Sequence, residues 1–185
     1  RGMSSAASDV YKRQLKIKEF KSKNIEKKLL RNPNSNKGDY GHVLVIAGNL
    51  GFGGAALLSS KAVVASGTGL TTLATRKDHL SAALSYCPEV MTKTVESISD
   101  LENHLPNKTV ICIGPGLGKN YWADQMLYKS INFAAKENLP ILIDADGLNI
   151  LSENRLKIKL PKKLILTPHP GAVSYTHLTL PTTYH

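Results

Sequence analysis

Four short motifs in this sequence contain residue types that bind anionic ligands, and each follows an apolar stretch. They are the glycine loop at residues 48–54, Gly-Pro-Gly-Leu-Gly at 114–118, Asp-Ala-Asp-Gly-Leu-Asn at 144–149 and Thr-Pro-His-Pro-Gly at 167–171. Glycine lets a ligand approach the main chain closely, and aspartate can orient a magnesium-bound phosphate. The motifs together indicate a site for a phosphate-bearing small molecule.

The glycine loop carries the first of these signals. Gly53 and Gly54 begin a predicted helix, so free N–H groups and the positive end of the helix dipole face the loop. This arrangement favours an anionic group such as a phosphate. The spacing differs from the dinucleotide motif G-x-G-x-x-G, and the sequence contains no G-x-x-x-x-G-K-[ST]. A tight strand-to-helix turn that binds nothing is the alternative.

The second glycine motif and the acidic motif have similar alternatives. Gly114 and Gly116 could present N–H groups to a phosphate or a substrate amide, or could form a plain turn. Asp144 and Asp146 could orient a magnesium-bound phosphate, usually through water. Alternatively, Asp146 is only the N-cap of the helix that carries Asn149.

His169 stands between two prolines, and Pro170 restricts its backbone. A histidine held in this way could donate a hydrogen bond to a substrate, although a lone histidine is more often structural. No metal-binding motif is predicted, because Cys87 and Cys112 lie far apart and belong to no metal or redox pattern.

Strands and helices alternate along the chain, which predicts a parallel α/β sheet. Strands are expected at residues 43–47, 70–74, 109–113, 140–143 and 163–166, with a short connection or edge strand at 88–91. Helices are expected at 54–66, 77–86, 97–105 and 121–137, the last with Ala123, Leu127, Ile131 and Ala134 on one stripe. The uniformly apolar run 43–47 is expected in the centre of the sheet. Because the carboxyl ends of parallel strands share one edge, all four motifs should meet there.

Composition limits the class of protein. Of the 185 residues, 42% are hydrophobic and 21% charged, and no apolar run approaches the ~20 residues of a membrane helix. Half of the net charge of +10 falls within residues 15–31, so a solvated basic segment is favoured over a nucleic-acid surface. We therefore expect a cytoplasmic protein that binds neither nucleic acid nor membrane.

Four segments are predicted from composition. Residues 1–14 and 172–185 resemble translated sequencing adapter, and the latter contains no Asp, Glu, Lys or Arg. We expect both to be non-native and do not assign His177 or His185 a ligand role. Residues 15–31 form a basic lead-in, and residues 32–171 form the domain.

The domain resembles the NAD(P)H-hydrate dehydratase family of the ribokinase-like superfamily. The resemblance rests on residues 34–48, 53–56, 67–70, 88–91, 113–118, 144–149 and 166–171, in order and spacing. It implies a three-layer α/β/α ribokinase-like fold and the ADP- or ATP-dependent dehydration of hydrated NADH or NADPH, with Mg²⁺. The implied substrate contacts are Ala55, Gly116 and His169; Gly53, Gly54, Gly114, Asp146 and Asn149 are further candidates for substrate or phosphate contact.

The sequence also departs from the family pattern. Asn36 stands where the family usually has His, and Ala172 where it usually has Glu. The family's nucleotide-binding segment and its Gly-x-Gly-Asp motif, with the catalytic Asp, lie further downstream and are not in this sequence. The resemblance therefore implies a fold that is incomplete at its C-terminus and a chain that does not turn over. It also implies a homo-tetramer and an epimerase, fused or separate.

Two other functions are compatible with the sequence. A ribokinase-like kinase of a vitamin precursor is the nearest, although residues 37–41 and 88–91 argue against it. A nucleotide-binding module without turnover is the other.

Overall fold

The structure, a computed structural model, describes residues 30–153 and 158–168. The chain forms two units, residues 1–35 and 36–185. The described part of the first unit is a turn in which the Ser35 N–H donates to the Asn32 carbonyl. The predicted terminal segments, residues 15–29 of the lead-in and His169 lie outside the described residues.

The second unit alternates strands with helices, as predicted. Two short 3₁₀ turns, Lys37–Tyr40 and Lys77–His79, precede β1 and the second helix. The elements are β1 His42–Ile46, α1 Gly53–Ala65, β2 Leu70–Thr75, α2 Leu80–Tyr86, β3 Met91–Thr94, α3 Ile98–Glu102, β4 Val110–Ile113, α4 Tyr121–Lys136, β5 Ile141–Ile143, α5 Ala145–Ser152 and β6 Leu164–Leu166. No helix in the described ranges is long and apolar enough to cross a membrane.

The six strands form one parallel sheet in the order β3-β2-β1-β4-β5-β6. Strand β1 lies between β2 and β4, with Val45 opposite both Leu73 and Cys112. The predicted central position of the apolar run is therefore confirmed. The strand order reverses between β1 and β4, and in open parallel sheets the crevice at such a switch point is where ligands bind.

Helices cover both faces of the sheet, which confirms the three-layer prediction. Leu44 and Ile46 lie on the face that packs against α3, α4 and α5, while Val45 and Leu73 lie on the face that packs against α1 and α2. This alternation follows from the two-residue period of a strand. The predicted stripe on α4 is fully buried on the first face.

The helix predicted at 77–86 is divided into a 3₁₀ turn and α2, and two further predicted elements differ more in extent from the structure. Only Met91 of the stretch 88–91 belongs to a strand, because residues 87–90 form a turn in which the Val90 N–H donates to the Cys87 carbonyl. The helix predicted at 97–105 is shortened to Ile98–Glu102. The Ser97 hydroxyl accepts the Asp100 N–H, and the Asp100 carboxylate accepts the Ser97 N–H, so this capping box fixes the start.

One row of side chains becomes progressively exposed across the sheet. By register it runs Leu73, Val45, Cys112, Leu142 and Ile165. Leu73 and Val45 are fully buried under α1 and α2, whereas Ile165 is 56% exposed on β6. The second face is therefore least covered at β6, and an exposed apolar edge strand promotes association.

Ile165→Lys should reduce self-association of the chain while changing the free energy of unfolding by less than about 0.5 kcal/mol, because the side chain is on the surface. Static light scattering against concentration measures the first effect and thermal unfolding the second. Leu164→Lys is the matched control. Leu164 packs on the sheet face that is covered by α3, α4 and α5, so its replacement should destabilise the chain. Unchanged scattering for Ile165→Lys would show that association uses another surface.

Candidate functional site

The two glycine motifs contact each other directly between β1 and β4. The Gly48 N–H donates to the Pro115 carbonyl at 3.1 Å, and the Asn49 N–H donates to the Gly116 carbonyl at 2.7 Å. Gly116 has a φ of +58°, and a Cβ there would lie 2.9 Å from the Ala55 Cβ and the Phe52 carbonyl oxygen. The loop that carries Ala55 and the turn that carries Gly116 therefore form one continuous surface at the switch point.

Asn49 joins these turns through its side chain, and the sequence analysis missed it. The residue is 4% exposed. Its Nδ2 donates to the Leu117 carbonyl and to Asn120 Oδ1, both at 2.9 Å, and its Oδ1 accepts the Leu50 N–H. Asn120 Oδ1 also accepts the Ala123 N–H and so caps α4. One sequence feature could have indicated this role: Asn49 directly follows Gly48 at the end of an apolar strand, and its amide side chain can both donate and accept hydrogen bonds.

The end of β2 holds the glycine loop from the other side. The Thr75 hydroxyl donates to the Gly48 carbonyl at 2.9 Å. His79 Nε2 lies 3.0 Å from the Asn49 carbonyl oxygen, and a Cβ on Gly53 would lie only 2.5 Å from His79 Nδ1. Gly53 therefore has no room for a side chain, and the loop conformation is fixed by partners from β2 and β4. No sequence motif marks His79 as part of this site.

Several backbone donors at this surface make no hydrogen bond to any described residue. These are the N–H groups of Gly51, Gly53, Gly54 and Gly116. Two of them open the 13-residue helix α1, whose dipole is positive at that end. Gly54 is exposed, and a Cβ on it would meet nothing within 4 Å. These main-chain N–H groups can donate hydrogen bonds to an anion, as the glycine loop predicted.

Gly54→Ala should stabilise the chain and weaken anion binding. Alanine is the better helix former by about 0.5–1 kcal/mol, and the space around residue 54 accommodates the methyl group. The same methyl would stand in front of the free N–H groups, so the Kd for inorganic pyrophosphate should rise several-fold. Calorimetry and thermal unfolding measure the two effects. Ala62→Gly, on the exposed side of α1, should lower stability and leave the pyrophosphate Kd unchanged.

The acidic motif is tied to the second glycine turn by Asp146. Its Oδ2 accepts the Gly118 N–H at 2.9 Å, and its Oδ1 accepts a longer bond of 3.4 Å from Asn149 Nδ2. The alternative that Asp146 caps the helix is wrong, because the N-cap of α5 is Asp144. The helix begins two residues earlier than that alternative assumed, with Ala145 as its first residue.

Gly114 is also placed at this junction by a close backbone contact. It has a φ of +126°, and a Cβ there would lie 1.9 Å from the Asp144 carbonyl oxygen. Any side chain at residue 114 would therefore push apart the turns that follow β4 and β5. The structure thus gives Gly114 a packing role, and its contact with a substrate stays a prediction.

The fourth motif begins at the same edge. The Thr167 N–H donates to the Ile143 carbonyl, so the chain leaves β6 beside the end of β5. His169 itself lies outside the described residues, and its substrate contact stays a prediction. Burial raises the pKa of the Cys87 thiol and raises the pKa of Cys112 to about 11, which disfavours the thiolate form of both.

The sequence comparisons give the same family for this chain. A family model described as NAD(P)H-hydrate dehydratase matches residues 43–178. The bifunctional NAD(P)H-hydrate repair enzyme Nnr of Coxiella burnetii is 43% identical over 140 residues, which are 76% of this chain and 27% of that protein. The ADP-dependent (S)-NAD(P)H-hydrate dehydratase of Listeria monocytogenes is 37% identical over 76% of this chain and 50% of its own length.

Solved structures that resemble this chain support the same family. A ribokinase-like superfamily protein from Enterococcus faecalis superimposes with a TM-score of 0.71 at 33% identity, over 77% of this chain and 50% of that one. The ADP/ATP-dependent NAD(P)H-hydrate dehydratase of Bacillus subtilis, co-crystallised with ATP and Mg²⁺, gives a TM-score of 0.63 at 26% identity, over 80% of this chain and 51% of that one. The chain spans about half the length, or less, of the relatives it matches. With the switch-point site built from two joined glycine turns, these matches show that the chain belongs to the NAD(P)H-hydrate dehydratase family of ribokinase-like proteins.

Proposed function

We propose that this chain is part of an enzyme that dehydrates hydrated NADH or NADPH to the working cofactor, with ADP or ATP as phosphate donor. The observation that carries the proposal is the joined surface of Ala55 and Gly116, with the free N–H groups of Gly53 and Gly54 beside it. The relatives in Listeria monocytogenes and Streptococcus pneumoniae are named ADP-dependent (S)-NAD(P)H-hydrate dehydratases.

The residues of this chain supply binding and orientation in that reaction. The free N–H groups at the start of α1 hold an anionic part of the substrate, and the contact of Gly116 with Ala55 keeps the two glycine turns together beside them. Phosphoryl transfer to the added hydroxyl turns it into a leaving group, and loss of phosphate restores the double bond. That transfer also needs a nucleotide held in line and a base on the attacked hydroxyl. The longer relatives contain the additional chain in which we place these groups.

Magnesium is the metal that the proposed reaction implies. Within the described ranges no group of three or more His, Cys, Asp or Glu side chains is placed to hold a metal ion. Asp146 Oδ2 accepts the Gly118 N–H, whereas its Oδ1 accepts only a long bond of 3.4 Å and keeps acceptor capacity. The described residues therefore form no all-protein Mg²⁺ cage, and contact of Asp146 with a magnesium-bound phosphate stays a prediction.

The test is to compare turnover by the 185-residue chain with turnover by the chain fused to the second half of the Listeria relative. Recovery of NADH absorbance from its hydrate, with and without ADP, is the readout. The fusion should turn over in an ADP-dependent way, and the chain alone should match a no-enzyme control. Turnover by the chain alone would show that catalytic groups lie within it. A fusion that instead phosphorylates a vitamin-precursor alcohol would support the kinase alternative.

Partners and location follow from the same proposal. Relatives in Coxiella burnetii and Escherichia coli are named bifunctional repair enzymes, so we propose an epimerase as the functional partner, fused or separate. A homo-tetramer and a cytoplasmic location remain predictions, which gel filtration and cell fractionation of the full-length protein would test.

A further inference from the structure

Two large apolar side chains are exposed in the glycine loop, where polar residues are usual. Leu50 is 53% exposed and Phe52 is 54% exposed. They flank Gly51, which has a φ of +83° and open space where its Cβ would be. Exposed apolar groups concentrated beside a set of unpaired donors are typical of a binding site rather than of an ordinary turn.

The backbone of Phe52 is held rigidly at the centre of the candidate site. Its N–H donates to the Asn49 carbonyl at 2.8 Å, and its carbonyl accepts the Ala55 N–H at 3.2 Å. Its Cβ lies against Gly116, where an added Cβ would approach to 2.9 Å. The aromatic side chain is therefore carried by a fixed backbone, which lowers the entropy lost when a ligand contacts it.

The fold gives no reason for an aromatic residue at this position. Phe52 is the N-cap of α1, a position that favours Ser, Thr, Asp or Asn, and it makes no side-chain capping bond. Gly54, two residues later, likewise lacks any neighbour that excludes a side chain. Both residues weaken the start of the helix, and no contact among the described residues explains their use.

An aromatic plane beside free N–H donors matches the two chemical halves of a nucleotide. We propose that Phe52, with Leu50 beside it in the turn, is the stacking surface for a planar heterocycle of the substrate, whose phosphates lie at the N–H groups of Gly53 and Gly54. This inference rests on the proposed function and adds the binding subsite of one substrate ring. Stacking tolerates any flat ring, so adenine and reduced nicotinamide both fit, and the experiment separates them.

The test titrates the 185-residue chain and its variants with AMP, reduced nicotinamide mononucleotide and inorganic pyrophosphate by calorimetry. Phe52→Ala should weaken binding of the stacking mononucleotide about tenfold or more, as loss of one base–aromatic stack does. Phe52→Trp should keep that affinity, and binding of the same mononucleotide should quench the fluorescence of its exposed indole. Pyrophosphate binding should stay within twofold of wild type in both variants.

Leu84→Ala is the matched control, because Leu84 is a similarly exposed apolar residue that belongs to α2 and not to the glycine loop. It should leave all three affinities unchanged. Fluorescence of Trp122, the single tryptophan of the wild-type sequence, reports folding of the Phe52→Ala variant, since its indole is buried and donates to the Val95 carbonyl.

Equal loss of pyrophosphate and mononucleotide binding in Phe52→Ala would overturn the inference, because the residue would then only shape the loop. Failure of the wild type to bind either mononucleotide would also overturn it. The outcome is separable from the dehydratase proposal. If Phe52→Ala loses only mononucleotide binding and the fusion enzyme is inactive, the stacking surface is retained and the dehydratase reaction is rejected. If Phe52→Ala binds the mononucleotides normally and the fusion enzyme is active, the reaction is retained and the stacking surface is rejected.

Discussion

Asn49→Asp should lower the free energy of unfolding by more than about 3 kcal/mol and abolish pyrophosphate binding. The substitution keeps the shape of the side chain but removes the Nδ2 group that donates to the Leu117 carbonyl and Asn120 Oδ1. A carboxylate would then face two oxygen acceptors at a position that is 4% exposed. Burying an acceptor or a charge without a donor costs more than the hydrogen bonds themselves contribute.

Asn120→Asp is the matched control, since it makes the same chemical change on the partner side chain. Asn120 uses Oδ1 as the acceptor for both Asn49 Nδ2 and the Ala123 N–H. Aspartate can accept both bonds and places a negative charge at the positive end of α4. Its free energy of unfolding should therefore equal or exceed that of the wild type. Chemical denaturation of both variants measures the contrast, and equal destabilisation would show that Asn49 does not act through its donor.

Gly116→Ala should separate the two glycine turns and destabilise the chain by about 2–5 kcal/mol. A positive φ costs a non-glycine residue about 1–2 kcal/mol, and overpacking against the Ala55 Cβ and the Phe52 carbonyl adds about 1–3 kcal/mol. The shift of the turns should also weaken pyrophosphate binding, because the free N–H groups would no longer converge. The structural reason for glycine at 116 is therefore the contact between the turns, whether or not a ligand also approaches there.

Gly51→Ala isolates the backbone part of that effect. Gly51 has a φ of +83°, but a Cβ on it would meet nothing within 4 Å. It should cost only the 1–2 kcal/mol of left-handed backbone strain. The difference between the two variants in denaturant unfolding then measures the packing of Gly116 against the glycine loop. A Gly116→Ala variant no less stable than Gly51→Ala would contradict the close contact between the turns.

The sequence by itself determined the elements that depend on local pattern. The apolar run at 43–47 predicted a central strand, and the apolar stripe on α4 predicted the buried face of that helix. Both patterns can be recognised within a short stretch of sequence, because they depend only on the order of neighbouring residues. The four motifs also had to share one edge, since parallel strands expose their carboxyl ends on the same side. The glycine loop and the turn at 114–118 meet as that rule requires.

Only the tertiary structure decided how the site is held together. Asn49 bonds to Leu117 and Asn120, which lie 68 and 71 positions further along the chain. His79 bonds to Asn49 over a separation of 30 residues, and Asp146 bonds to Gly118 over a separation of 28 residues. No local pattern marks such partners, because their spacing depends on the order of strands in the sheet. The same order leaves Ile165 exposed at β6 while Val45, on the same row, is buried. Local periodicity therefore specified which residues form strands and helices, and strand order specified which of them meet.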